Sequence, residues 1–263
     1  MNDGDRRQLE EAAARAWPPH ETVAHEGWVL RFSGGGSQRA NSVLTLRWSG
    51  TDIDAAITAA EHAYRERGQK PIFQIVDVSL PTDLDARLEA RGYAGIDRTL
   101  LMTKSISKES SSSSDGPSGR SEDPCLRPVR THTISRHTTA PQAWLDIYLA
   151  TVTPDRRAAA PAIIAALPDP KCFFVAARDG APFAVGLGMA EPPYCGIECM
   201  ATEASARQSG GARAVLADLE AWAAEQGATT LWLQVLERNT PARALYDSLG
   251  FATVGTYWYR HAP

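Results

Sequence analysis

Two glycine clusters, "ARQSGGARAVL" at 206–216 and "SGGGSQRANSV" at 33–43, are the stretches whose residue types could bind a phosphate. Backbone capture of phosphate needs successive N–H groups converging on one point, which requires glycine where a side chain would obstruct. It also needs a helix starting at once, so that unpaired N–H groups and the helix dipole face the anion. Residues 207–212 meet both conditions. Arg207, Gly210 and Ala212 form an Arg-x-x-Gly-x-Ala pattern, the strand-like "CGIECMAT" precedes it, and helical spacing begins at Gly211. The cluster at 33–37 instead separates "GWVLRF" from "ANSVLTLRW", two strand-like runs with no helix behind the glycines, and reads as a hairpin connection. A third feature is Glu198, a carboxylate inside an apolar strand pattern, where strand alternation puts it on one face with Met200 and Thr202. Such a group is costly unless it is used or paired. Catalytic use and a solvated or salt-bridged glutamate both remain open.

The elements around these residues follow from periodicity. "APQAWLDIYLATV" and "DRRAAAPAIIAAL" read as helices, and "KCFFVAARDG", "PFAVGLGMAE" and "CGIECMAT" as strands. From Gly211, Val215, Leu219 and Trp222, with Ala212, Leu216 and Ala223, recur at spacings of three and four until Gly227 ends the helix. "TTLWLQVL" is a buried strand. "ERNTPARALYDSLGF" is a short helix with Thr240 as the expected N-cap, Pro241 at its first position and Gly250 past its end. "TVGTYWYR" is a closing strand. Alternating strands and helices predict an α/β fold with a mixed sheet.

With 263 residues and 43% hydrophobic composition, the chain can build two domains with real cores. A net charge of −4 gives no field drawing it to nucleic acid or an anionic membrane. No apolar run is long enough for a membrane span, and the N-terminus lacks the apolar core of a signal peptide. Four cysteines are too few for a disulfide framework, and no metal-ligand spacing accompanies them. The expectation is a cytoplasmic protein without a metal site. Residues 105–124, rich in serine, read as a disordered linker between segments 1–104 and 125–263.

The stretch from 200 to 251 resembles the acetyl-CoA-binding half of the GNAT N-acetyltransferase superfamily: strand, pyrophosphate loop, helix, strand, Asn, helix with Tyr, then Leu-Gly-Phe. Ala204 stands where the family often has proline and Ala212 where it often has a second glycine. The resemblance implies an acetyl-CoA-dependent transferase that moves the acetyl group directly to a primary amine of a small molecule or exposed peptide. The alternative is a non-catalytic acyl-CoA sensor or scaffold. It further implies that the backbone of Met200, Ala201 and Thr202 pairs with the pantetheine amides. Arg207, Gln208, Ser209, Gly210, Gly211 and Ala212 would meet the pyrophosphate. Asn239 aligns with a residue that contacts the cofactor arm, or is a polar residue before the helix cap. Tyr246 aligns with a tyrosine that protonates the departing thiolate, or is an aromatic packed in the core. An alkyl ammonium of pKa ~10.4 is neutral about once in 2500 molecules at pH 7, a cost of roughly 4.6 kcal/mol, so a base is wanted. Glu198 is the first candidate and Glu203 the reserve.

The first segment repeats this plan. "DIDAAITAAEHAYRERGQKPIFQIV" is helix, glycine, strand, and "LDARLEARGY" at 84–93 rhymes with "ARALYDSLGF" at 242–251. It lacks the phosphate loop, so the chain resembles a tandem GNAT subgroup with two GNAT-like mixed-sheet domains. The N-terminal one (1–104) is degenerate and the C-terminal one (125–263) complete. On that division the fragment 125–263 holds the whole cofactor site. Arg39, Asn41 and Ser42 interrupt an apolar pattern and either pair within their own hairpin or line an acceptor cleft between the halves.

Overall fold

In the computed structural model residues 1–33, 36–106 and 132–263 are described. Residues 34–35 of the glycine hairpin and residues 107–124 of the expected linker lie outside them. In chain order the first segment comprises α1 (Asp3–Ala16), β1 (Glu21–His25), β2 (Trp28–Phe32), β3 (Val43–Leu44), α2 (Ile53–Glu66), β4 (Ile72–Val76), α3 (Leu84–Ala90) and β5 (Ala94–Ser105). The second comprises β6 (Thr133–His137), α4 (Gln142–Thr151), α5 (Pro154–Ala165), β7 (Lys171–Arg178), β8 (Ala181–Glu191), β9 (Tyr194–Thr202), α6 (Gly211–Glu225), β10 (Thr230–Leu236), α7 (Thr240–Ser248) and β11 (Ala252–His261). The α/β expectation and the hairpin pairing of β2 with β3 hold.

The strands form one sheet in the order β1-β2-β3-β4-β11-β5-β10-β9-β8-β7-β6. Only β3–β4 and β9–β10 are parallel, and α2 and α6 are their respective crossovers. Thus β3-α2-β4-α3-β5 and β9-α6-β10-α7-β11 are the same unit twice, as the rhyme between 84–93 and 242–251 suggests. The final strands are exchanged. β5 pairs with β10, β11 pairs with β4, and the two pair antiparallel with each other. The boundary drawn at 105–124 does not divide the sheet, and its first residues are not linker: Ser105 still pairs with Thr230, and Ile106 N donates to Thr229 O.

Packing follows the exchange. Leu100 and Met102 of β5 join the core under α6 and α7 with Phe174, Leu219 and Leu233, while Leu101 joins the opposite face with Trp144 and Trp232. Tyr257 and Tyr259 of β11 pack with Leu44, Leu46 and Val76 of the first segment. Successive residues of an inserted strand face opposite sides, so each exchanged strand seals two layers. α1 begins with a capping box from Asn2 and Asp5 and buries Leu9, Ala12, Ala13 and Ala16 against the sheet. Its Arg6–Glu10 pair is buried too, at 2.7 Å. None of the helices is long and apolar enough to cross a membrane, among the described residues.

Candidate active site

The site starts where two strands part. β9 and β10 pair in parallel from Thr230↔Tyr194 only as far as Leu233↔Ile197, although both continue. Beyond that point β9 stays with β8, and its other edge offers unpaired backbone groups. The cause is a β-bulge. Leu187 opposes Glu198 while Val185 opposes Ala201, so β9 carries one extra residue, with Cys199 at φ 53°. A bulge bends its strand and breaks alternation. Glu198 therefore does not share a face with Met200 as alternation had it. Met200 packs toward α6, whereas Cys199 and Ala201 pack on the α4 side and Glu198 enters a cleft there.

Directly after β9 comes the loop whose sequence suggests phosphate binding. A 3-10 turn at Ala204–Ala206 leads to Gln208 at φ 60° and Gly210 at φ 89°, and Gly210 is the N-cap of α6 with no side chain capping the helix. The first internal bond of that helix runs from Ala214 N to Gly210 O. The N–H groups of 207–213 have no backbone partner among the described residues. They are donors at the positive end of a 15-residue helix, as phosphate binding needs. Gly211 does a different job. It is buried, and a Cβ there would collide with Phe183 and Ala184. Ser209 Oγ donates to Ala206 O at 2.6 Å, and His132 Nε2 meets Ser209 O at 2.9 Å. Sequence reasoning did not single out His132. Arg207 and Gln208 are exposed and Ala212 is half-buried.

Asn239 itself is the N-cap of α7. Its Oδ1 accepts from Ala242 N at 3.3 Å, which corrects the assignment of that cap to Thr240. Capping occupies the oxygen only, and the amide nitrogen stays available. Tyr246 is buried edge-on to Phe251, and its phenol is pushed up to about 12, first by burial and second by the Glu198 carboxylate across the splay. It therefore stays protonated at neutral pH. Glu203 is exposed at the entrance to the loop.

Glu198 is paired across the halves. Arg39 Nη1 and Nη2 reach its two oxygens at 2.8 and 2.9 Å, and Nη1 also donates to Gln234 Oε1 at 2.6 Å. Glu198 and Gln234 follow the last paired residues of β9 and β10, so one guanidinium from the first segment sits at the apex of the splay. Both members of the ion pair are 12% exposed, and Arg39 lies 5.3 Å from the Trp17 ring. Burial alone would lower the Arg39 pKa; the Glu198 charge more than reverses this and raises it. Gln234 Oε1 also accepts from the Tyr257 hydroxyl at 3.1 Å. Gln234 was missed from sequence, although the cost argument applied to Glu198 fits a glutamine inside "TTLWLQVL" equally well.

These residues line a cleft of about 590 Å³ with Asn41, Asp97, Thr99, Arg156 and Arg238. The polar trio of the first segment divides. Arg39 crosses to the second half; Asn41 lines the cleft but accepts from Ser33 N at 3.0 Å in its own hairpin. Ser42 is fully buried and accepts from Arg31 Nη2 at 2.7 Å, so it belongs to the hairpin. A larger, more apolar hollow of about 770 Å³ beside α1 contains no cradle residue.

Comparison with known proteins identifies the family. The family model described as "Probable histone acetyltransferase Rv0428c C-terminal" matches residues 4–260. The chain is 27% identical over 260 residues to "Uncharacterized N-acetyltransferase YobR" of Bacillus subtilis (strain 168), covering 97% of this chain and 98% of that protein. It is 29% identical over 250 residues to "Probable histone acetyltransferase Rv0428c" of Mycobacterium tuberculosis (strain ATCC 25618 / H37Rv), covering 93% and 70% respectively. In fold it is similar to a GCN5-related N-acetyltransferase from Kribbella flavida, with TM-score 0.65, 17% identity and 98% and 93% coverage. It is also similar to a tandem GNAT protein from the clavulanic acid biosynthesis pathway, with TM-score 0.59, 14% identity and 100% and 97% coverage. The chain belongs to the Rv0428c C-terminal acetyltransferase family and so to the GNAT superfamily, as an acetyl-CoA-dependent N-acetyltransferase of tandem architecture.

Proposed function

We propose that this enzyme moves the acetyl group of acetyl-CoA directly to a primary amine of a small molecule or exposed peptide bound in the cleft between its halves. The observation carrying this reading is the splay itself. On one side stand the uncapped α6 terminus and the free edge of β9, and on the other a cleft lined by both segments. The chain's own groups fit the cofactor. Gly210 gives the loop its left-handed turn, and the backbone from Arg207 through Gln208, Ser209, Gly210 and Gly211 to Ala212 offers N–H groups to a pyrophosphate. The free edge at Met200, Ala201 and Thr202 can take pantetheine amides as an added strand, with the Asn239 amide nitrogen near the arm.

When bound, acetyl-CoA supplies an activated thioester carbonyl. The amine nitrogen forms the new N–C bond as the C–S bond breaks, the amine loses a proton, and the departing thiolate gains one. Tyr246 is the donor in this scheme; its raised pKa leaves the phenol protonated but a weaker acid than the thiol, so what it contributes is a positioned proton rather than driving force. Glu198 receives the amine's proton, with Arg39 fixing its position; Glu203 lies on the surface. Arg39 bonds both oxygens of Glu198 and so fixes where the carboxylate stands relative to the amine. Incubating the protein and acetyl-CoA with an amine and peptide library tests the reading. Free thiol release matched by acetylated products in the mass spectrum is expected; binding of acetyl-CoA without turnover would instead establish the sensor alternative.

A further inference from the structure

The charges lining the acceptor cleft bear on what kind of amine enters it. Among the described residues five ionic side chains line it: Arg39, Arg156 and Arg238 against Asp97 and Glu198. Both carboxylates are already matched. Glu198 is held in two bonds by Arg39, and Asp97 accepts from Arg238 at 2.9 Å. Arg156, in the first turn of α5, makes no ion pair among the described residues. It is exposed and lines the same cleft as Glu198 and Gln234. Gln234 adds to the imbalance. Its oxygen is taken by Arg39 and Tyr257, so only amide N–H remains for it to offer.

The two ion pairs differ in how easily they release a partner. The Arg39–Glu198 pair is nearly buried, and removing either partner would strand a charge in a dry site. The Arg238–Asp97 pair lies at the rim with side chains 73% and 28% exposed, where an ion pair is worth at most about 1 kcal/mol. An incoming anion thus finds Arg156 free and Arg238 cheaply available. An incoming second cation finds no free carboxylate among the described residues that line the cleft, and two guanidiniums to repel it.

We propose that the acceptor is an amine that also carries an anionic group, a carboxylate above all, which Arg156 receives while the amine lies toward Glu198. This rests on the acetyl-transfer reading above and adds the acceptor's class. Arg156 is a substrate-binding residue in this scheme, and polycations such as polyamines or lysine-rich peptides are disfavoured.

The test measures kcat and KM of the full-length enzyme with saturating acetyl-CoA for 6-aminohexanoate, its amide 6-aminohexanamide, and spermidine. The pair of hexyl compounds differs only in the anion, and spermidine adds cations. A kcat/KM at least about tenfold higher for the carboxylate than for the amide is expected, carried by KM, with spermidine poorest. In Arg156→Gln the carboxylate-to-amide ratio should fall to about one, and Arg156→Lys should recover part of it. A ratio near one in the wild type, a preference for spermidine, or a preference that survives Arg156→Gln overturns this inference while leaving acetyl transfer standing. Transfer to none of the three compounds, while the amine and peptide library still yields acetylated products, overturns this inference alone; no product from either overturns both.

Discussion

Asn239 has two ends, and they do different things. Its oxygen caps α7, a contribution of about 1 kcal/mol, and its amide nitrogen faces the cofactor arm in the scheme above. Asn239→Asp keeps the cap and loses the donor, whereas Asn239→Ala loses both. The expected outcome is a raised KM for acetyl-CoA in both variants with a lowered Tm in the alanine variant only; a wild-type KM in Asn239→Asp would reduce Asn239 to a cap. Tyr246 separates binding from chemistry in the same way. Tyr246→Phe should lower kcat by about 10- to 100-fold with little change in acetyl-CoA affinity, because a proton donor acts mainly in the transition state. With the phenol pushed up to about 12, it is lost as an acid only as pH rises through that value. The wild-type rate should therefore show no fall assignable to tyrosine below about pH 10, a window set by that shifted pKa. Glu198→Gln should move the pH–rate profile toward higher pH, since transfer then waits on amine that is already neutral. An unmoved profile would assign deprotonation to solvent.

At the scale of elements, the adjacent glycines that begin α6 should fail differently. Gly210 needs its left-handed backbone and stands exposed, so Gly210→Val both strains the turn and obstructs the approach of an anion. Acetyl-CoA affinity measured by calorimetry should fall at least about tenfold while the fold survives. Gly211 needs room. Gly211→Ala forces Phe183 and Ala184 aside, and its main consequence should be a Tm lowered by several degrees, on the order of 1–3 kcal/mol of overpacking. Equal loss of affinity with no change in Tm for both variants would contradict the division of labour. The bulge at Cys199 belongs to this scale too. By turning Glu198 away from Met200 it gives one strand both an unpaired edge and a cleft carboxylate.

For the whole molecule, the exchanged strands decide what can be separated. Fragment 125–263 contains every cradle residue, yet without β5 its β10 and β11 lose their shared neighbour, and two cores lose Leu100, Leu101 and Met102. Burial of three such side chains is worth roughly 5–9 kcal/mol, comparable to the total stability of a typical domain. The fragment alone is therefore expected to aggregate or stay unfolded, and deleting residues 1–104 removes the acetyl-CoA site together with the cleft. Co-expressing residues 1–106 and 132–263 as separate chains should restore a folded, active pair in size-exclusion chromatography. A monomeric fragment 125–263 that binds acetyl-CoA would show that the exchange is dispensable.

The local backbone geometry was legible in the sequence because it depends on residue type at short spacing. An Arg-x-x-Gly-x-Ala loop between a strand and a helix, Pro241 at a helix start and Gly250 past its end act through backbone geometry within a few residues. The same holds for the apolar face of α6 and for the repeated helix-strand-helix unit. Tertiary structure decided what depends on distant residues. Which strand lies beside β10 is a choice among several apolar strands of similar pattern, and no local signal states that β5 and β11 trade places. The extra residue in β9 leaves composition and alternation intact on paper, and only pairing with β8 reveals where it falls. The partner of Glu198 is 159 positions away. The sequence required that a buried carboxylate be used or paired; only the folded chain could bring Arg39 from the other half to meet it, and Gln234, at the apex of the splay.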